Sequence, residues 1–130
     1  DLVVGFKENP TTPLKRSGIK VYANPGSGDF TQVIPYLVGS PDQKTEAVTM
    51  IDVNNDDSPD IIAGNENQRN TLYLNLGGGV FSSAIDIGTD ADDTTSVTTG
   101  DVFNDGVEAI IVGNAGSANK VYGVSSANEV

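Results

Sequence analysis

A block of about fifty residues recurs along this chain, and no other feature restricts its fold as strongly. Asp60-Ile61-Ile62-Ala63-Gly64-Asn65 returns as Ala109-Ile110-Ile111-Val112-Gly113-Asn114, an offset of 49, and Asp1-Leu2-Val3-Val4-Gly5 stands 59 residues before the first of these. Other landmarks keep step. Lys20-Val21-Tyr22, Leu72-Tyr73 and Lys120-Val121-Tyr122 each follow their block after a polar loop. Asn24-Pro25-Gly26-Ser27-Gly28-Asp29-Phe30 aligns with Asn75-Leu76-Gly77-Gly78-Gly79-Val80-Phe81, and Ala47-Val48 through Asp52 with Ser96-Val97 through Asp101.

Each unit holds four short apolar or alternating runs separated by clusters of Gly, Pro, Asn and Asp, the pattern of antiparallel strands joined by tight turns. The runs predict strands near 46–51, 60–64, 70–76 and 81–87, with equivalents on either side. A period of this length with four strands per unit reads as all-β, built of β-propeller-type blades that bury their faces against one another. A β-sandwich with coincidental self-similarity is the competing architecture. On the propeller reading the chain is a single domain or fragment with a partial blade over 1–40, a blade over 46–88 and a partial blade over 95–130. That is about 2.5 to 3 repeats, an incomplete arc, since closed propellers use about four to eight blades. The 37% hydrophobic content supports a real but economical core.

The densest chemistry lies in Asp52-Val53-Asn54-Asn55-Asp56-Asp57-Ser58-Pro59-Asp60. The side chains of Asp52, Asn54, Asp56 and Asp60, with the backbone carbonyl of Ser58, form a five-donor oxygen set that water can complete, as a hard cation such as Ca²⁺ requires. Asp57 occupies the place where such loops prefer glycine for a positive φ. The EF-hand is excluded by counting, because its twelfth position would be Ala63 and a strand follows where a helix is needed. The plain alternative is an acidic turn without metal, in which three carboxylates repel one another uncompensated. One repeat on, Asp101-Val102-Phe103-Asn104-Asp105-Gly106-Val107-Glu108-Ala109 keeps Asp101 and Asp105 and gains the glycine, but Phe103 and Ala109 replace two donors. The expectation there is a retained turn with a weaker second site, or none. The segment from Phe6 to Gly18 is longer than its equivalents, carries Lys7, Lys15 and Arg16, and reads as a solvated surface insertion.

The DxNxDxxxD loop, the Ile-Ile-Ala-Gly-Asn strand, the Leu-Tyr-Leu-Asn strand and the glycine-rich turn ending in Phe resemble the FG-GAP/VCBS repeat family of β-propellers, which includes the integrin α-subunit head and many secreted microbial and algal proteins. The resemblance covers nearly the whole chain. It implies that Asp52, Asn54, Asp56, Ser58 and Asp60 are calcium positions, and that the protein is extracellular, secreted or at the cell surface, serving adhesion, carbohydrate binding or scaffolding.

With 18 acidic and 7 basic residues the net charge is −11, which opposes nucleic acid or an anionic membrane surface as partner. Neither histidine nor cysteine is present, so the commonest general bases, nucleophiles and thiolate ligands are missing, and an enzyme is not expected. No apolar run approaches the roughly 20 residues that a bilayer requires. The expectation is a non-catalytic structural or adhesive module with Ca²⁺ as its only cofactor. Raw strand edges and apolar blade faces lead to the further expectation of a homo-oligomer or filament, or of further repeats in a longer chain. The competing function is a carbohydrate-binding module with Tyr22, Tyr36, Tyr73 or Tyr122 stacking on sugars. Three of these recur at one repeat position, as a blade-packing residue does, and Tyr36 does not.

Overall fold

The computed structural model describes residues 1–7 and 17–124. The expected insertion between Phe6 and Gly18 therefore lies mostly outside the described residues. Among the described residues there are ten strands and no helix: β1 (Leu2–Lys7), β2 (Ser17–Tyr22), β3 (Tyr36–Val38), β4 (Thr45–Ile51), β5 (Asp60–Asn65), β6 (Asn70–Tyr73), β7 (Ile85–Ile87), β8 (Asp93–Gly100), β9 (Ala109–Ala115) and β10 (Lys120–Gly123). They form three antiparallel sheets, β1-β2-β3, β4-β5-β6-β7 and β10-β9-β8, and none closes into a barrel among the described residues. The architecture is thus all-β, with blade-like units in an incomplete arc.

The middle sheet carries all four strands of the repeat. β5 is its spine: Ile62 pairs with Thr49 on one side and Leu72 on the other, and all six of its residues are buried. The sequence pattern carries the third strand past Tyr73, but the ladder stops there. Leu74 N–H donates to Ser82 Oγ at 2.9 Å and Asn75 N–H to Asp60 Oδ1 at 2.7 Å, so side chains take over from strand partners. The fourth strand is correspondingly short, Ile85–Ile87, and the pairing before it is reduced to the isolated Asn75–Phe81 bridge and the bond from Ser82 N–H to Leu74 O.

Alternation sends successive β5 side chains to opposite faces. Ile61 and Ala63, with Tyr73, pack on Ile19, Val21 and Val38 of the first sheet. Ile62, Leu72 and Ile87 pack on Ile110 and Val112 of the third. Burying one such side chain stabilises by about 1.5–3 kcal/mol, so these two seams hold the sheets face to face.

Both seams use the same fitting. A Cβ on Gly64 would lie 2.6 Å from Thr94 Cγ2 and 2.8 Å from Val97 Cγ1 of the third sheet; at Gly5 the neighbours are Thr45 Cγ2 and Val48 Cγ1 of the middle sheet. Likewise Gly88 (φ 66°) lies against the Tyr122 ring, and Gly39 (φ 81°) against the Tyr73 hydroxyl. The first and middle sheets therefore each offer two glycine sockets to the Thr/Val pair and the Tyr of the next. Tyr73 is 1% exposed, a packing residue rather than a ligand platform.

Candidate functional site

The Asp52–Asp60 segment joins β4 to β5, and its shape is set by short-range competition for backbone N–H groups. Asp52 Oδ1 accepts from Asp56 N–H at 3.1 Å and Asp52 Oδ2 from Asp57 N–H at 2.8 Å. Asn54 Oδ1 also accepts from Asp56 N–H, and Asp56 Oδ1 from Ser58 N–H at 2.8 Å. Such Asx bonds replace ladder partners in a tight turn. The winding needs two left-handed residues, Asn55 (φ 58°) and Asp57 (φ 65°), both of types that tolerate that region. Asp57 stands at the position the sequence marks for a positive φ; Asn55 carries no such mark.

Asp60 behaves differently from the other donors. It is fully buried, accepts Val53 N–H at 2.9 Å through Oδ2 and Asn75 N–H at 2.7 Å through Oδ1, and so ties the loop to the turn after β6. Burial pushes its carboxyl above the ordinary carboxylate range; the two N–H donors oppose that, and the charges of Asp56 and Asp52 add to it. Asp56 is exposed and shifted the other way, chiefly by the hydrogen bond from Asn54 Nδ2 at 2.8 Å. The first sheet repeats the Asp60 device: Asp1 Oδ1 accepts Asn24 N–H at 2.8 Å, and Asn24 Oδ1 then accepts Gly26 N–H, as Asn75 Oδ1 accepts Gly77 N–H.

The loop from Asp101 has the same winding. Asp101 accepts Asp105 N–H at 3.1 Å and Gly106 N–H at 2.9 Å, Asp105 accepts Val107 N–H, and the left-handed residues are Asn104 and Gly106. The Gly106 N–H is the main reason the Asp101 carboxyl lies below its usual range. Where Asp60 would stand, Ala109 is 1% exposed, and Val102 N–H turns to Gly100 O instead. Phe103 is 63% exposed and reaches no donor position. A groove of about 470 Å³ runs between the two loops, lined by Ile51, Asp52, Val53 and Asn55 on one side and Gly106, Val107 and Glu108 on the other.

The donor chemistry of Asp52, Asn54, Asp56 and Asp60 suits a hard cation, and the charge felt by Asp60 from Asp52 and Asp56 places the three carboxylates in one electrostatic neighbourhood. In the arrangement seen, their oxygens serve backbone N–H groups, and the described residues hold no cluster of three acidic groups converged tightly enough to grip an ion. Asp101 and Asp105 lack the companions that would complete a second set.

A second constellation escaped the reading of the sequence. Asn65 N–H bonds Asn70 Oδ1, Asn65 Nδ2 bonds Arg69 O, and Thr45 Oγ1 donates to Asn65 Oδ1. Asn114, Asn119, Ala118 and Thr94 repeat these bonds one for one. The signal was available, since Thr45/Thr94, Asn65/Asn114 and Asn70/Asn119 share the offset of 49.

The FG-GAP-like repeat matches residues 1–63 and again residues 52–112. This chain belongs to the FG-GAP-like repeat family. The segment shared by the two matches, 52–63, is the acidic loop with most of β5 of this FG-GAP-like protein. No curated protein and no solved structure matches it. FG-GAP repeats are typically found in extracellular proteins, as modules that are generally structural rather than catalytic. No helix among the described residues is long and apolar enough to cross a membrane.

Proposed function

We propose that this FG-GAP-like chain is a non-catalytic, extracellular structural or adhesive module whose Asp52–Asp60 loop binds Ca²⁺ and thereby braces the β4–β5 turn, and that it works in assembly with further copies or repeats. The observation that carries this reading is Asp60: a fully buried carboxylate, tied to two backbone N–H groups, that feels the charges of Asp52 and Asp56. A divalent cation among these groups turns that repulsion into attraction, and Asp52, Asn54, Asp56, Ser58 and Asp60 are the residues that would hold it. The ion adds loop rigidity and no chemistry. The Asp101 and Asp105 loop, with Phe103 and Ala109 in place of two donors, offers a weaker site or none. The experiment is thermal unfolding in millimolar CaCl₂ and in excess chelator. The reading expects a higher Tm with calcium, and an equal rise in Asp105→Ala. Identical melting curves in the two buffers refute the calcium role.

The carbohydrate reading keeps one specific support. Tyr36, the tyrosine outside the repeat position, is half-buried and lines a groove of about 280 Å³ with Leu37, Gly79, Val80 and Phe81, where a sugar ring could stack on it. Glycan-array binding that disappears in Tyr36→Ala would establish it.

A further inference from the structure

The two seams between the sheets are built alike except in one place. The offset of 49 matches Tyr73 with Tyr122 and Gly39 with Gly88, but it also matches Thr71 with Lys120 and Gln43 with Asp92. In the second seam that place is filled from within the chain. Lys120 stands two residues before Tyr122 on β10 and so shares its face. Its ammonium bonds Asp90 Oδ2 at 2.6 Å and also Asp92, both in the connection that leads from β7 into β8, and its side chain is 26% exposed.

In the first seam the same place is open. Thr71 is too short to fill the space of a lysine, and the residue that meets it is the neutral Gln43, whose Nε2 donates to Thr71 Oγ1 while its Oε1 accepts from the Tyr73 hydroxyl at 2.5 Å. All three residues are buried. Beside them lies a cavity of about 300 Å³ whose rim carries Asp42, Arg69 and Asp86. Arg69 Nη1 bonds Asp86 Oδ2 at 2.6 Å inside the middle sheet, and the Asp42 carboxylate has no ion pair among the described residues. Two carboxylates against one guanidinium leave the rim with an excess negative charge. Within the cavity, Gln43 Oε1 and Thr71 Oγ1 each accept one bond and keep a lone pair.

We infer that the cavity of the first seam binds a primary ammonium group on a short apolar stem, the group that Lys120 supplies in the second seam. Three N–H donors on a compact cation are matched by the spare acceptors of Gln43 and Thr71 and by the Asp42 carboxylate. The cation also balances the rim, and Tyr73 and Ala84 give the stem an apolar wall. The site lies at the other end of β5 from the Asp52–Asp60 loop, so the inference is independent of the calcium reading. The ligand is a free alkylamine or the lysine side chain of a partner, and the chemistry of the two is the same.

The probe is n-butylammonium, a lysine side chain without its backbone, titrated in chelator into the 130-residue chain and followed by ¹H–¹⁵N spectra. The side-chain amide of Gln43 should shift along a saturable curve with a Kd of about 1–10 mM. The side-chain amide of Asn114, which bonds Asp92 in the filled seam, stays in place. Thr71→Lys puts a lysine of the chain into the cavity and abolishes the shift. Ala84→Phe, at an exposed position on the rim, blocks it without touching the buried network, which covers a Thr71→Lys variant that folds poorly. Tetramethylammonium, with the same charge and no N–H donor, leaves Gln43 unmoved. Nα-acetyl-lysine methylamide separates the two sources: a shift like that of butylammonium assigns the site to a partner's lysine, no shift assigns it to a free amine, and either result upholds the cavity. A wild type without a saturable Gln43 shift, a shift that survives Ala84→Phe or a folded Thr71→Lys, or an equal response to tetramethylammonium overturns the inference.

Discussion

Asp60 and Asn65 bracket the same strand and do similar work at its two ends, each turning a buried side chain into a tie between loops. Removing the carboxylate in Asp60→Ala leaves the N–H groups of Val53 and Asn75 without their acceptor, and an unsatisfied buried group costs about 1–3 kcal/mol. The loss is expected in chelator as well as in calcium, measured by urea unfolding, because it concerns backbone bonds and not the ion. Asn65→Ala strips the Arg69 carbonyl and the Thr45 hydroxyl of a partner and should cost about as much. If the calcium-free protein tolerates both changes without loss, these side chains are not structural ties.

Lys120 gives the residue scale a pH test. Its ammonium bonds Asp90 at 2.6 Å and also Asp92, which holds the Asp92 carboxyl below its ordinary 3.8 and raises the lysine above its own range. A carboxyl whose folded pKa is lowered contributes stability that is present above 3.8 and lost as the pH falls through the folded value. The Tm difference between wild type and Lys120→Met should therefore be steady from about pH 5 to 8 and shrink below pH 3.8. A difference that stays constant down to pH 2 would assign the effect to the lysine stem's packing instead.

At the scale of strands and turns, the seams depend on glycines that admit a neighbour's side chain. Gly88 combines φ 66° with the Tyr122 ring at 2.7 Å from a would-be Cβ, whereas Gly77, at φ 81°, faces open space. Both substitutions by Ala carry the backbone cost of roughly 1–2 kcal/mol for a left-handed non-glycine residue. Only Gly88→Ala must also expel the tyrosine, so it should lower Tm by clearly more than Gly77→Ala; equal losses would show that the seam yields freely there.

The element scale is also where the sequence was most legible. β5 and β9 stand out because a nearly identical apolar run recurs at a fixed offset, and in β5 burial on both faces demands such a run. The ends of β6 and β7 were not legible, because the alternation of Leu72, Leu74 and Leu76 continues past the point where Asp60 and Ser82 capture the backbone. In the loop, spacing marked the oxygen-bearing residues, but periodicity does not encode which rotamer Asn54 adopts or that Asn55 turns left-handed. The Thr45/Asn65/Asn70 tie was visible as a coincidence of offsets and went unread because polar residues at strand ends usually face water.

The whole molecule joins two loops of one winding but unequal chemistry to a stack whose seams repeat. One loop keeps three side-chain donors beside the buried Asp60 carboxylate; the other has Phe103 and Ala109 in place of two of the four, and its Asp101 and Asp105 accept the same backbone N–H bonds. The two loops therefore share one set of backbone bonds while differing in how many oxygen donors they offer a cation. Calcium bound in the Asp52–Asp60 loop would have a defined stoichiometry. Titration calorimetry of the calcium-stripped chain with CaCl₂ should find one site per chain, abolished in Asp56→Ala and retained in Asp105→Ala. No binding heat in the wild type, or binding lost in Asp105→Ala but kept in Asp56→Ala, would contradict it.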